Sequence, residues 1–339
     1  MAITSLMEEE ALSAPSRVAA LLLEGATARA SIAAALRADP PPLAVTVGRG
    51  SSDHVCSFAA WTIARHLLWP TMSLQPSLIT REGSGPRIGR ALTLAVSQSG
   101  RGADVIGVME WARSAGSRTV ALVNDPLSPL AAAAEFVLDQ HAGPEQSVAA
   151  TKSVICSMAA VLALVAEVAD ASELRSVSAS LQHDLAMAAK ASLGLDPGQL
   201  TQAEHAFVLA RGAGLAAAEE LALKLKETCG LSAEALSAAE VRHGPREVVG
   251  PGFLVIALAL PGPAEHDVRA AAEELAAQGA HVILLGAETT DSWCLPTVHP
   301  ASAPIAALQL AYPVIARAAV ARGRDPDRPR TLSKVTSTF

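Results

Sequence analysis

The four cysteines of this 339-residue chain, Cys56, Cys156, Cys229 and Cys294, form no CxxC pair and have no metal-binding spacing with histidine. A disulfide framework and a zinc ribbon are thereby excluded, and reduced thiols in a cytoplasmic protein with no metal are expected. A Walker-type GxxxxGK[ST] is also missing, so a nucleoside triphosphate is not indicated. The opening MAITSLMEEEALSAP lacks a basic region followed by an apolar stretch, so no secretory leader is expected. The most lipid-like run, SVICSMAAVLALVAEVA (Ser153–Ala169), falls short of the roughly 20 residues of a membrane span. Preceded by Lys152 and interrupted by Glu167, it reads as a buried helix, and no membrane partner is expected. Basic residues are outnumbered 26 to 33, for a net charge of -7. That argues against nucleic acid as a partner, although a single basic pocket remains compatible with a small anion.

Apolar residues, by contrast, make up half of the chain, enough to build the cores of two domains. Two stretches far apart are alike: LAVTVGRGSSDH from Leu43 and HAFVLARGAGLA from His205, each an apolar strand running into Arg-Gly and a small-residue turn. The elements that follow also correspond, which marks a duplication. The first copy continues with a helix (about Val55–Leu68), a strand (Leu92–Val96), a helix (about Ala103–Ala115) and strands at Thr119–Asp125 and Glu135–Asp139, then a long apolar helix. The second continues with a helix (Ala216–Thr228), a strand (Gly252–Gly262), a helix (Glu265–Gly279), a strand (His281–Ala287) and a closing helix (Pro304–Gly323). Near-continuous apolar strands alternating with amphipathic helices imply parallel sheets covered on both faces. The predicted fold is therefore α/β, with two tandem doubly wound domains. Their boundary falls in ASLGLDPGQLTQAEH, where Gly, Asp-Pro and polar residues break the periodicity. The expected division is an N-terminal helical segment at 1–40, packed on the outside, domains at 41–190 and 200–323, and a tail at 324–339.

Ligands of open parallel sheets sit beyond the carboxyl ends of the strands. GRGSSDH and SQSGRGAD both occupy such ends, so Ser51, Ser52, Ser97, Gln98 and Ser99 are candidates to hold a phosphate monoester. Ordinary strand-to-helix turns capped by serine fit the same spacing. In ALKLKETCGLSAEALSAAEVRHGP, Lys224 and Glu227 share a helix face, so that an ammonium can hold a carboxylate ionised and ready to take a proton. A solvated surface pair has the same spacing, but the apolar residues around it favour partial burial. His243 follows in a turn and is either an acid or base near neutral pH or a surface histidine. Arg330 and Lys334, in the tail, are solvent-facing cations or part of a lid over an anionic ligand.

The motifs SQSG, EQSVAATK (Glu145–Lys152), ALKLKE, AEALSAAEVRHGP and DPDRPRTLSK, in this order, resemble the sugar isomerase (SIS) double-domain proteins. The likeness is to the isomerase half of glutamine–fructose-6-phosphate amidotransferases and to SIS-type glucosamine-6-phosphate deaminases. It spans about Met7 to Lys334 and implies two flavodoxin-like three-layer αβα SIS domains. It also implies that Ser97, Gln98 and Ser99 cradle the sugar phosphate, with Ser52 and the segment Val148–Ala150 lining the sugar. By the same resemblance Glu227 is the base between C1 and C2, Lys224 its electrostatic partner, and His243 the ring-opening residue, contributed across a homodimer interface. Lys334 matches a tail lysine able to form a Schiff base with a keto sugar, and Arg330 an arginine near it. Gly102 replaces a usual threonine and Ala150 a usual serine, so one or two sugar contacts must be remade. Residue two is Ala2 where the amidotransferases carry a nucleophilic cysteine, so glutamine is not expected as the ammonia source. The implied reaction is conversion of an amino-hexose 6-phosphate to fructose 6-phosphate and ammonia, without metal or organic cofactor. A ketose–aldose phosphate isomerase, a fructosamine-6-phosphate deglycase and a non-catalytic sugar-phosphate sensor are the alternatives.

Overall fold

A computed structural model describes residues 5–287 and 293–334. The chain opens with helices α1 (Leu6–Glu24) and α2 (Ala26–Ala38). The first sheet and its helices follow as β1 (Ala44–Val47), α3 (Ser51–Leu67), β2 (Thr71–Ser73), α4 (Pro76–Thr80), β3 (Leu92–Ser97), α5 (Ala103–Ser114), β4 (Arg118–Val123), α6 (Pro129–Ala133) and β5 (Phe136–Asp139). Two long helices come next, α7 (Lys152–Val168) and α8 (Ser172–Ser192). The second sheet is built from β6 (His205–Ala210), α9 (Gly214–Lys224), β7 (Ser232–Ser237), β8 (Leu254–Ala259), α10 (Glu265–Ala277), β9 (His281–Gly286) and β10 (Trp293–Cys294), and α11 (Ala303–Ala321) closes it.

The chain divides into two compact units. Of the described residues, one unit comprises Ser16–Glu145 and Ser153–Ala179 and holds the first sheet; the other comprises residues 5–15, Gln146–Lys152 and those from Ser180 to Lys334 and holds the second. In the first sheet the strand order is β2-β1-β3-β4-β5, and every described pairing is parallel. In the second it is β10-β9-β8-β6-β7, again parallel throughout. Each is the doubly wound order in which the chain reverses direction between its first and third strands, the place where such sheets bind ligands.

The buried, apolar faces of β1, β3 and β4 explain why they form the middle of a parallel sheet: Val45, Val47, Ala95, Ala121 and Val123 pack with Val105, Val108 and Met109 of α5. The corresponding core of the second sheet joins Leu209, Val255 and Ala257 to Val268, Ala271 and Leu275 of α10. The strands absent from the sequence reading, β2, β7 and β10, all lie on sheet edges. β2 and β10 have three and two residues, too few to show alternation, and β7, SAEALS, is rich in helix-forming residues.

One helix differs from expectation in its surroundings. α1 is anchored more deeply than an outer layer requires, because Met7 and Ala11 are fully buried and its carboxylates Glu8 and Glu10 are buried too. Glu8 pairs at 3.3 Å with Arg317 of α11. Among the described residues α11 is the single helix long and apolar enough to cross a membrane, nearly all of it buried within the protein, and the bent pair α1–α2 passes the same test together. The segment at Ser153–Ala169 falls, but for its last residue, in α7, a buried helix as read from the sequence.

Candidate active site

In the first-sheet unit, the loops after β1 and β3 lie at the carboxyl ends of neighbouring strands. Ser52 sits in the first turn of α3, and Ser97, Gln98 and Ser99 end β3, all four partly exposed. The serine loop is tightly wound: the Gly100 amide donates to Ser97 Oγ at 3.0 Å and the Asn124 amide to the Gln98 carbonyl at 3.2 Å. Gly100 has φ +63°, and a β-carbon there would fall 2.1 Å from Ser128 Oγ, so only glycine fits. α5 then follows the N-cap Gly102, which offers no side-chain cap; the Val105 amide donates to Asp104 Oδ1 at 2.9 Å, which leaves the amides of Ala103 and Asp104 for an acceptor. The sequence reading missed the tie between the loops, an ion pair at 2.7 Å between Arg49 and the buried Asp104.

In the second-sheet unit, the segment bearing Val148 and Ala150 is held at both ends. The buried Glu10 carboxylate accepts from the amides of Gln146 at 2.6 Å and Ser147 at 3.2 Å and stands 3.7 Å from the Lys152 ammonium. The C-terminal tail runs beside it: the Val148 amide donates to the Asp327 carbonyl at 3.0 Å. Further along, Lys334 Nζ donates to the Ser147 carbonyl at 2.6 Å. Asp327 in turn accepts from the first amides of α1, those of Leu6 and Met7. The tail is therefore docked by specific contacts and not merely solvated.

Lys224 and Glu227 lie where α9 widens into a π-helical turn, Leu225–Cys229, a distortion often found at functional sites. Gly230, at φ +61°, ends the turn. Apolar neighbours Leu221 and Leu225 are fully buried, and their helical spacing draws Lys224 inwards with them. The ammonium is 1% exposed, pairs with Glu227, and has Glu220 3.5 Å away; Glu227 is 21% exposed. Burial works to depress the basicity of Lys224, but the charges of Glu220 and Glu227 outweigh it and raise its pKa above the ordinary value. The pair is thus an internal ion pair with one partner open to solvent, and not a solvated surface pair.

Glu227 borders a cavity of about 660 Å³ walled by Lys226, Arg322, Arg324, Arg328 and Arg330. Its lining carries five basic residues against Glu227 and Asp325, the reverse of the chain's overall balance and suited to an anionic ligand. Arg322 is fixed by hydrogen bonds to the carbonyls of Leu200, Thr201, Ala203 and Cys229. His243 ends a short 3-10 turn, Glu240–His243, and is exposed. It makes no hydrogen bond or ion pair with Lys224 or Glu227.

The two sheets share one order, and residues 43–167 and 199–313 each match the SIS domain family. The chain belongs to that family. As an SIS protein it is 33% identical over 269 residues to the glutamine–fructose-6-phosphate aminotransferase (isomerizing) of Zymomonas mobilis, a match covering 72% of this chain and 43% of the relative. The chain therefore spans less than half the length of that relative. Among solved structures, one from Silicibacter pomeroyi described as a phosphosugar isomerase is 38% identical, with a TM-score of 0.90 over 96% of this chain and 100% of that one. The glucosamine-6-phosphate deaminase of Thermotoga maritima shares the fold, with a TM-score of 0.78 over 98% of this chain and 100% of that one, at 20% identity.

Proposed function

We propose that this SIS protein is a glucosamine-6-phosphate deaminase/isomerase, releasing fructose 6-phosphate and ammonia. The observation that carries the reading is Glu227: a carboxylate paired on its inner side with a buried ammonium and open on its outer side to a cation-walled cavity. The aminotransferase relative contributes its name, which couples an amino group to fructose 6-phosphate. The reverse chemistry needs the same proton transfer.

In this reading the backbone and side chains of Ser97, Gln98 and Ser99 bind the 6-phosphoryl group, and Ser52, Val148 and Ala150 line the sugar. His243 opens the pyranose ring to the aldehyde. Its exposure, and its lack of contact with Lys224 and Glu227, support action at the site of a second copy of the chain in a homodimer. Glu227 then takes the C2 proton, the electrons of that C–H bond form a C1=C2 double bond, and the C1 carbonyl becomes an enol. Positive charge from the cations around Glu227 and from Lys224 stabilises the developing anion. Delivery of a proton to C1 leaves an imine at C2. Water adds to that carbon, ammonia departs with the electrons of the C–N bond, and the ketone of fructose 6-phosphate remains. Lys334 exchanges with the C2 imine as a transient Schiff base, and Arg330 draws the anionic sugar towards the tail.

The test is incubation with glucosamine 6-phosphate, with ammonia and fructose 6-phosphate measured together. Equal amounts of both are expected. Aldose–ketose interconversion of hexose phosphates without ammonia release would replace the deaminase by a simple isomerase, and binding without turnover would point to a sensor.

A further inference from the structure

Glu220 takes no part in the proton transfer just described, yet its side chain is fully buried one helical turn before Lys224. Tyr312, reaching from α11, donates its hydroxyl to Glu220 Oε1 at 3.1 Å. One ammonium is thus shared by two carboxylates, Glu220 at 3.5 Å on the inner side and Glu227 on the cavity side. Lys224 thus faces two carboxylates. Burying an additional carboxylate is unfavourable for stability, and the Lys224–Glu227 pair alone would neutralise the lysine. The second carboxylate therefore calls for a role other than stability.

The surrounding charges narrow that role. On α9, Glu219 makes no ion pair with Lys224. Lys226, Arg322 at the end of α11 and the tail residues Arg324, Arg328 and Arg330 line the cavity on the Glu227 side. From α11 comes Tyr312. The titratable residues of the strands beneath α9, His205 on β6 and Glu234 on β7, line a different cavity. Glu220 is the carboxylate that faces the ammonium from the inside.

We propose that Glu220 is a positioning residue for the base: it keeps Lys224 charged and centred between two carboxylates, so that Glu227 is held directed into the cavity. The inference rests on Glu227 being the base. Burial by itself drives an ammonium towards the neutral amine, and Glu220 supplies the larger opposing charge contribution. Removing that carboxylate leaves Glu227 alone to oppose burial, and Lys224 loses its proton at lower pH.

The experiment measures kcat and kcat/KM against pH for ammonia release by the full-length wild type, Glu220→Gln, Glu220→Asp and Glu227→Gln, with folding followed by circular dichroism and thermal melting. Turnover by Glu227→Gln at the wild-type rate would remove the base assignment and this inference with it. With that variant inactive, Glu220→Gln is expected to move the alkaline limb down by about one pH unit, the usual effect of deleting one nearby opposite charge. Glu220→Asp is expected to return the limb towards its wild-type position. A folded Glu220→Gln whose alkaline limb is unmoved overturns the proposal, because a purely structural residue changes activity without changing titration. Should Glu220→Gln fail to fold, Glu220→Ala, which also removes the carboxylate, carries the same test, and an unmoved limb there overturns it as well.

Discussion

The Lys334 ammonium donates to the main-chain carbonyl of Ser147 at 2.6 Å, fixing the C-terminal tail against the segment that carries Val148 and Ala150. A primary amine at that place is suited to condense with a keto sugar. Reduction with borohydride in the presence of fructose 6-phosphate is therefore expected to leave a covalent hexitol phosphate on Lys334, detectable by peptide mass spectrometry. Lys334→Gln should carry no adduct. An adduct elsewhere, or none on the wild type, would contradict the Schiff-base role.

Arg49 and Asp104 join the loops after β1 and β3, and Arg49 is about half exposed while Asp104 is buried. Solvent screening limits such a pair to about 1 kcal/mol. Asp104→Asn is thus expected to raise KM for the hexose phosphate roughly five-fold, with kcat changed less. A drop in kcat at unchanged KM would show that the tie does not serve substrate binding.

Gly100→Ala introduces a β-carbon where φ is +63° and Ser128 Oγ would be 2.1 Å away. Positive-φ strain alone costs about 1–3 kcal/mol, and relief of the clash must displace the turn beside Ser97–Ser99. Urea unfolding should show a loss of at least that size, accompanied by weaker sugar-phosphate binding. Wild-type stability and affinity would mean that the serine loop does not depend on this turn.

Lys224→Met leaves Glu220 and Glu227 without their shared cation, and breaking a buried pair in this way costs about 3–5 kcal/mol. The sign of the pH dependence follows from the raised lysine pKa. The stability that Lys224 contributes is fully present below its ordinary value of 10.5 and is lost as the pH climbs through the higher folded-state value. Urea midpoints of wild type and variant should therefore differ constantly from pH 7 to about 10 and converge above that. A gap that widens with alkalinity would show that the lysine is not held charged by its neighbours.

How far these features could be read from the sequence depends on how far apart the interacting residues are. The central strands β1, β3, β4 and β8 are continuous apolar runs bounded by glycine or polar residues, so their period and length identify them. The Lys224–Glu227 relationship is local, three residues on one helix. Glu220–Tyr312, Arg49–Asp104 and Glu10–Gln146 are separated by 92, 55 and 136 residues, and no spacing rule connects such positions. The edge strands β2 and β10 failed for the opposite reason: with three and two residues they carry too little pattern to be seen. The depth of the N-terminal segment was not legible because of sequence distance, since Glu8 and Glu10 are buried by pairing with the distant Arg317 and Lys152.

The account stands most directly on the C2 hydrogen of the substrate. Proton NMR of glucosamine 6-phosphate mixed with the wild type in D2O should show that hydrogen disappearing as fructose 6-phosphate forms. With Glu227→Gln the substrate should bind while its C2 hydrogen stays in place. Loss of that hydrogen at the wild-type rate in the variant would contradict the assignment of Glu227 as the base.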